Sequence, residues 1–215
     1  TFLTVGRLAP WKNIPTIIKA LKIYKKEGMQ FKFYIVGSGP EEDNLKELVS
    51  ASGLQNEVEF TGQLIKTELV EYYKKAAFGG LPQAQYNYAL WLREGRVEDP
   101  KPAEAMEWFK VSSNKNFDRS LIELAKGYEN GTAGRRDYRE AVKLYRRARA
   151  NEDNRDNSPY FNSTFYLGKL YLRGLGVAKD EKKGLRFIKE AANGNVDEAI
   201  IEMAKIHEQG RYVKK

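Results

Sequence analysis

Four glycines recur at nearly constant intervals in the second part of the chain, and they constrain its fold more than any other feature. Gly95, Gly131, Gly174 and Gly210 are separated by 36, 43 and 36 residues. Two sets of small residues keep the same intervals: Ala89, Ala125, Gly168 and Ala204, and also Ala84, Ser120, Ser163 and Ala199. A period of this length indicates an array of structural repeats, in which each unit packs against its neighbours.

Each repeat has the pattern of a helix pair. The first helices are predicted over residues 82–94, 118–130, 160–173 and 196–209. Each ends at the recurrent glycine, which suits a left-handed C-terminal cap. The second helices are predicted to begin near Pro102, Asp137 and Asp180, which are residues that favour helix starts. The longer interval is assigned to a polar loop at residues 151–157, and the units are predicted at about 80–116, 117–157, 158–194 and 195–215.

Residues 1–79 follow a different pattern, in which strand-like and helix-like segments alternate. The predicted strands are Phe2–Val5, Phe31–Val36 and Glu57–Phe60, and the predicted helices are 14–26, 41–52 and 67–76. Three successive β-α units imply a parallel sheet with right-handed crossovers. The predicted fold class is therefore α/β followed by all-α: a truncated Rossmann-like sheet of three parallel strands, then an α-solenoid of helix pairs. The domains are predicted at 1–79 and 80–215.

The two patterns meet at residues 71–80, where we expect the third helix to run almost directly into a repeat helix near Leu81. A doubly wound sheet would continue here with a fourth strand beside the first. Without that strand, Phe2–Val5 is an apolar sheet edge, and we expect it to be capable of self-association with a second copy. The chain also begins within a strand and without an initiator Met, and we expect it to be a fragment of a longer protein.

Glycines follow all three predicted strands, at the sheet edge where ligands of such sheets bind. The segments are Gly6-Arg7, Gly37-Ser38-Gly39 and Thr61-Gly62. Glycine lets a ligand approach the backbone closely, and the side chains of Arg7 and Lys12 could hold a diphosphate. The residues alone give equal weight to an alternative in which the glycines form ordinary turns and both cations are solvated.

These segments resemble the nucleotide-sugar-binding C-terminal domain of family 4 retaining glycosyltransferases. The resemblance covers residues 1–77 and is carried by Val5-Gly6-Arg7-Leu8, Lys12, Tyr34-Ile35-Val36-Gly37-Ser38-Gly39 and Val58-Glu59-Phe60-Thr61-Gly62. It implies that Arg7 and Lys12 bind the diphosphate of a UDP- or GDP-sugar, with Gly6, Gly37 and Gly39 beside it.

The chain departs from that family in ways that bear on activity. Asn13 stands where the family has glycine, and the paired glutamates that hold the donor ribose and sugar do not follow Ala76. The acceptor domain of the family has no counterpart either. The resemblance therefore implies no catalytic residue, and we expect this chain alone to be inactive. The alternative is a fragment of an active transferase whose other parts lie elsewhere.

The repeats resemble Sel-one-like repeats, which are relatives of the tetratricopeptide repeat. The segment Gly174-Leu175-Gly176-Val177, Asp180 and Ala191-Ala192-Asn193-Gly194 carry this resemblance. It implies an α-superhelix that binds a protein or peptide in a groove of first helices, and the bacterial members of the family suggest a link to cell-surface glycan synthesis. Tyr128, Tyr171 and His207 occupy equivalent positions, three residues before the recurrent glycine, and Tyr88 of the first repeat helix is assigned to the same groove. The partner is not specified.

The amino-acid composition excludes several other kinds of function. The chain has no cysteine and one histidine, so disulfides, thiolate chemistry and multi-histidine metal sites are excluded. We expect no metal and no cofactor, and a cytoplasmic location because a cysteine-free chain fits a reducing compartment. The net charge of +8 lies mostly on helices of mixed sign, which argues against nucleic-acid binding. No segment has the apolar length of a membrane span.

Overall fold

The structure is a computed structural model that describes residues 1–96, 99–150 and 158–208. The chain divides into two compact units, Thr1–Tyr88 and Ala89–Lys215. The predicted loop at 151–157 and the repeat glycine Gly210 lie outside the described residues.

Three strands and ten α-helices make up the described part of the chain. The strands are β1 (Phe2–Val5), β2 (Phe33–Val36) and β3 (Val58–Gly62). The helices of the α/β segment are α1 (Ile14–Lys26), α2 (Glu42–Ala51) and α3 (Lys66–Phe78). The helices that follow are α4 (Pro82–Glu94), α5 (Pro102–Ser113), α6 (Asp118–Asn130), α7 (Tyr138–Arg149), α8 (Ser158–Arg173), α9 (Glu181–Asn193) and α10 (Asp197–Glu208). The predicted fold class is confirmed.

The three strands form one parallel sheet in the order β1-β2-β3. Phe2 to Val5 pair with Phe33 to Val36 in continuous register, whereas the pairing of β2 with β3 is interrupted between Ile35 and Val36. This irregularity lets β3 continue to Gly62, two residues beyond its predicted end. Strand β1 lies at one edge of the sheet, as the sequence predicted, and β2 is central.

Helices α1 and α2 cover the sheet with apolar side chains that repeat at helical spacing. Ile14, Ile18 and Leu21 of α1 meet Leu45 and Val49 of α2 in a buried cluster. The cluster also contains residues from the strands and loops: Leu8, Phe33, Ile35, Leu54 and Val58. This core holds the carboxyl ends of the strands in fixed positions, which matters for the cleft described below.

Helix α3 ends beside β1 and is followed at once by α4. Gly80 adopts the left-handed conformation (φ 86°), and its N–H bonds the Ala77 carbonyl while the Leu81 N–H bonds that of Ala76. This is the Schellman pattern of a helix C-terminus, and Pro82 then opens α4. A Cβ added at Gly79 would lie 2.5 Å from the Thr1 Cβ, so α3 ends at the β1 edge. Helix α4 therefore follows α3 at the point in the chain where a doubly wound fold would have its fourth strand.

The helices that follow α3 match the predicted pairs closely. Helices α4, α6, α8 and α10 correspond to the four predicted first helices, with ends shifted by at most two residues. Asp137 caps α7 by accepting hydrogen bonds from the N–H groups of Arg139 and Glu140, and Asp180 caps α9 through the Lys183 N–H. Gly95, Gly131 and Gly174 all have positive φ, as a C-terminal cap requires.

Small residues bring successive helices of the array into close contact. Ala89 and Ala125 are fully buried, and Gly168 packs against Ile188 and Gly184 of α9. Larger side chains fill the remaining space, among them Phe109, Tyr145 and Phe187. At α10 the pattern changes, because Ile200 and Ile201 are about half exposed although the equivalent residues of α8, Thr164 and Phe165, are buried.

None of the helices in the described residues combines the length and the apolar character that crossing a bilayer requires.

Candidate functional site

A cleft of about 510 Å³ opens where the three parallel strands end. It is lined by Val5, Gly6, Arg7, Val36, Gly37, Ser38, Gly39, Pro40, Gln63, Leu64 and Leu69. Four of the five predicted diphosphate-site residues, Gly6, Arg7, Gly37 and Gly39, are therefore brought together. They meet because the carboxyl ends of parallel strands share one edge of a sheet.

The floor of the cleft is backbone packed too tightly for side chains. A Cβ at Gly37 would collide with the Gly6 carbonyl, and one at Gly39 would collide with the Leu8 backbone. The N–H of Gly6 bonds the Val36 carbonyl at 2.9 Å, and that of Leu8 bonds the Ser38 carbonyl at 3.0 Å. Glycine is required here by space as well as by the positive φ of Gly37 (127°), and the result is an open, backbone-lined floor.

Arg7 is the cation at the cleft. Its side chain is exposed, and within the described ranges it has neither a hydrogen bond nor an ion pair. Lys12 is not among the residues that line the cleft, and its Nζ donates to the Val5 carbonyl at 3.0 Å. The ammonium would lie 3.3 Å from a Cβ at Gly6. Arg7 is thus free to bind an anion, and the Lys12 ammonium keeps two N–H donors besides the one that it gives to the Val5 carbonyl.

Acidic residues at the start of α2 limit where an anion can bind. Glu42 and Asp43 lie in the first turn of that helix, just after the cleft residue Pro40. Carboxylates compensate the positive end of the helix dipole and repel a bound phosphate. The N-terminus of α2 is therefore a poor site for an anion, and Arg7 and Lys12 are cations close to the end of β1.

Asn13 explains one departure from the glycosyltransferase pattern. It adopts the left-handed conformation (φ 50°, ψ 32°) between the short 3₁₀ turn Pro10–Lys12 and α1. Its side-chain oxygen accepts a hydrogen bond from the Thr16 hydroxyl at 2.7 Å. Asparagine tolerates this conformation better than other non-glycine residues, so the backbone of a glycine position is retained.

Sequence reasoning overlooked Gln63, whose amide donates to the Ser38 hydroxyl at 2.8 Å across the cleft. The available signal was its position directly after β3. Leu64 and Leu69 add an apolar side to the cleft. The cleft thus combines one free guanidinium, small polar groups and a hydrophobic wall.

The four predicted groove residues lie in different environments. Tyr88 and Tyr171 are buried, with 4% and 7% of their surface exposed, Tyr128 is half-buried, and His207 is exposed. Tyr128 lines a cleft with Arg135, Arg136, Asp137, Tyr138, Arg139 and Gly176. A common partner-binding role for the four stays a prediction, and Tyr128 and His207 are the members whose surface can meet a partner.

An ion network crosses the first helices of the second unit. Glu123 of α6 pairs with Arg93 of α4, and it also accepts from Lys126 Nζ at 3.1 Å. Burial opposes the charged form of Glu123, but Lys126 and Arg93 outweigh it and lower its pKa. The Lys126 ammonium in turn lies 4.9 Å from the ring centre of Tyr166 in α8. Polar groups thus link three successive first helices.

Comparison with known proteins assigns the two parts of the chain to different families. Residues 1–83 match the family described as glycosyl transferases group 1. Residues 82–117, 119–153 and 162–196 match the Sel1 repeat.

Two curated relatives match the first part of the chain. Alpha-monoglucosyldiacylglycerol synthase of Streptococcus pneumoniae is 35% identical over 78 residues, which are 36% of this chain and 18% of that protein. An uncharacterized glycosyltransferase of Haemophilus influenzae is 32% identical over 82 residues, which are 38% of this chain and 23% of that protein. The chain therefore spans about a fifth of the length of the curated relatives it matches.

Solved structures of repeat proteins are similar to much of the chain. A Sel1 repeat protein from Oxalobacter formigenes has a TM-score of 0.58 at 24% identity, covering 70% of this chain and 58% of that one. The protein c5321, a protective antigen of uropathogenic Escherichia coli with an SLR fold, has a TM-score of 0.58 at 26% identity, covering 81% of this chain and 36% of that one. The chain thus joins a partial group 1 glycosyltransferase domain to a Sel1 repeat solenoid.

Proposed function

We propose that this chain, a partial group 1 glycosyltransferase domain joined to Sel1 repeats, is a protein-binding scaffold that retains a site for the diphosphate of a nucleotide sugar. The repeats bind a protein partner through the side of the array that carries Tyr128 and His207. The cleft at residues 6–7 and 37–39 binds the diphosphate of a UDP- or GDP-sugar. The scaffold acts in cytoplasmic steps of cell-surface glycan synthesis.

The observation that carries the diphosphate site is the position of Arg7 beside an open backbone floor. Arg7 lines the cleft and its exposed side chain has no hydrogen bond or ion pair within the described residues, while Gly6, Gly37 and Gly39 leave room for phosphate oxygens. A guanidinium can hold phosphate through two parallel hydrogen bonds. Support for the glycan role comes from the relatives of the first part, one of which is named as a synthase of a glucosylated lipid.

Calorimetric titration with UDP-glucose and with a GDP-sugar tests the site. We expect binding that Arg7→Ala weakens by about tenfold or more, because a charge-assisted bidentate contact is lost. Lys19→Ala is the matched control, since it removes an exposed positive charge from α1 away from the cleft. Absence of binding at millimolar ligand, or equal weakening by both variants, would contradict the proposed site.

The partner role is tested by quantitative pull-down with repeat variants. Tyr128→Ala and His207→Ala are suitable because these side chains are accessible, whereas Tyr171→Ala would disturb packing. We expect specific partners to be lost from either variant and retained by the exposed-surface control Lys182→Ala. An unchanged set of partners in both groove variants would contradict the groove.

The alternative is that the first part belongs to an active transferase. The match of residues 1–83 to the glycosyltransferase family favours it. Sugar release or transfer from a labelled donor, abolished by Arg7→Ala, would establish that activity. Catalysis needs a positioned acceptor as well as a donor, so binding without turnover is the result that the scaffold proposal predicts.

A further inference from the structure

The second unit contains a small cationic cavity between three helices, separate from the nucleotide-sugar cleft. Its volume is about 180 Å³, and it is lined by Arg146, Arg149, Ala150, Leu167, Tyr171, Lys183 and Phe187. The two arginines come from α7, Leu167 and Tyr171 from α8, and Lys183 and Phe187 from α9. The cavity is smaller than the roughly 300–1,000 Å³ typical of pockets for drug-sized ligands, so it suits a single small group.

Three positive charges surround this cavity, and a carboxylate pairs with one of them, Arg149. Glu190 accepts from Arg149 Nη2 at 3.0 Å and from the Tyr160 hydroxyl at 2.6 Å. Across the part of the chain that the structure describes, Arg146 and Lys183 have no carboxylate partner. Unlike Arg149, these two cations are held against a buried phenol and leave an excess of positive charge.

The phenol is that of Tyr171, and its hydroxyl has a proton to donate. Arg146 Nη2 donates to the Tyr171 oxygen at 2.8 Å, and the Lys183 ammonium lies 4.3 Å from the ring centre. A tyrosine hydroxyl has one O–H donor besides its acceptor sites. Within residues 1–96, 99–150 and 158–208, no acceptor meets the O–H of Tyr171, although 7% of this residue is exposed.

The pKa of Tyr171 reflects these positive charges. Burial acts to raise this pKa, but Lys183 and Arg146 outweigh burial and lower it from its usual 10.0. Positive charges that stabilise the ionised form of this phenol more than burial disfavours it also favour any other oxyanion placed there. The rings add rigidity, since Phe187 packs edge-to-face on Tyr171 with 5.8 Å between centres, and Arg149 lies 4.6 Å from the Phe187 ring centre.

We propose that this cavity is an oxyanion-binding site for a phosphate monoester group, formed by Arg146, Lys183 and the Tyr171 hydroxyl. Arg146 has four further N–H donors beyond the bond to Tyr171, and Lys183 supplies three N–H donors. Tyr171 donates its own proton to a phosphate oxygen. Arg149, neutralised by Glu190, shapes the wall. The group can come from free phosphate or from a phosphorylated side chain.

The test is calorimetric titration of the whole chain with inorganic phosphate, at low ionic strength and in an amine buffer. Arg146→Gln and Lys183→Gln are each expected to weaken binding by about tenfold or more, equivalent to 1.4 kcal/mol. Lys182→Gln removes an equal charge from the neighbouring, exposed position of α9 and is expected to bind like the wild type. Circular dichroism confirms that each variant is folded.

Tyr171→Phe distinguishes a specific phosphate site from non-specific attraction to positive charge, because the variant keeps the ring packing and lacks the hydroxyl proton that Tyr171 donates. We expect it to weaken phosphate binding several-fold without loss of melting temperature. Lack of phosphate binding at millimolar concentration, equal loss in Lys182→Gln, or equally tight binding of acetate would overturn the proposal.

A second arm identifies the source of the phosphate group. A short phosphoserine peptide that binds tenfold more tightly than inorganic phosphate, with loss in Lys183→Gln, assigns a protein-borne group. Equal affinity for both, with the same loss, assigns free phosphate. Binding of the unphosphorylated peptide at the same affinity would overturn the proposal.

Discussion

A Cβ atom added to Gly168 would lie 2.9 Å from the carbonyl oxygen of Gly184, and one added to Gly184 would lie 2.9 Å from the carbonyl oxygen of Gly168. The two glycines therefore let α8 and α9 approach backbone to backbone. Gly168 lies within α8 and Gly184 at the end of the first turn of α9, and a glycine inside a helix costs roughly 1 kcal/mol relative to alanine. The close approach of the two helices offsets this cost.

We expect Gly168→Ala to destabilise the protein, although alanine favours helix formation. The new methyl would lie 2.8 Å from Ile188 Cγ1 as well as near Gly184, and such overpacking costs about 1–3 kcal/mol. Chemical unfolding followed by circular dichroism measures the change. Lys182→Ala on the exposed face of α9 is the control. A Gly168→Ala variant more stable than wild type would contradict this prediction, because it would mean that α8 and α9 move apart to accept the methyl group.

We expect Glu123→Gln to lower the free energy of unfolding at neutral pH by about 1–3 kcal/mol, because charge-assisted hydrogen bonds to Arg93 and Lys126 are lost. The pKa of Glu123 is lowered in the folded state, so its stabilising contribution is present above the usual value of 4.5 and is lost as pH falls through the folded pKa. The difference between wild type and variant should therefore vanish in acid. The exposed Glu104→Gln change is the control, with an effect near zero, and a pH-independent difference would contradict this account.

Asn13 gives a prediction about backbone conformation. Both Asn13→Gly and Asn13→Ala lose the exposed bond from Thr16, but glycine adopts φ 50° without strain, so Asn13→Ala should cost about 1–2 kcal/mol more than Asn13→Gly. Thermal unfolding of the two variants measures this difference. Equal melting temperatures for the two would show that the residue relaxes out of the left-handed region.

Tyr145 is fully buried, and its hydroxyl donates to Glu129 Oε1 at 2.5 Å. Burial, followed by the charge of Glu129, raises the pKa of Tyr145 far above 10.0. The folded state thus favours the neutral phenol, and this contribution is present below pH 10.0 and is lost as pH rises through the folded pKa. We expect Tyr145→Phe to cost about 1–2 kcal/mol at neutral pH.

Ultraviolet titration checks the ionisation of Tyr145 directly. The folded wild type and the folded Tyr145→Phe variant should show equal absorbance changes near pH 10.0, because Tyr145 does not ionise there. A change smaller by one phenol in the variant would mean that Tyr145 titrates normally.

The parts of the fold that depend on local chemistry could be predicted from the sequence. Asp137 and Asp180 were expected to start helices and do so, because a capping side chain bonds backbone groups two or three residues away. The convergence of Gly6, Gly37 and Gly39 was also predictable, since parallel strands end at one edge. The role of these residues in binding stays a prediction.

Other features depend on contacts that no local pattern contains. The cavity at Tyr171 needs Arg146, 25 residues earlier, and Lys183, 12 residues later, and their meeting depends on how α7 and α9 pack on α8. The hydrogen bond from Lys12 to the Val5 carbonyl could not be predicted from the sequence either, because the conformation of a flexible lysine side chain is not set by local pattern.

The joint between α3 and α4 determines where this protein could be fused to other helical domains. Its two cap bonds use backbone groups of Ala76, Ala77, Gly80 and Leu81, and the Gln85 side chain adds one bond to the Ala77 carbonyl at 3.1 Å. Backbone bonds do not depend on the side chains upstream or downstream. Because Gly80 is left-handed and residues 81–88 belong to the first compact unit, an engineered fusion should keep Gly80 and those residues together with the sheet.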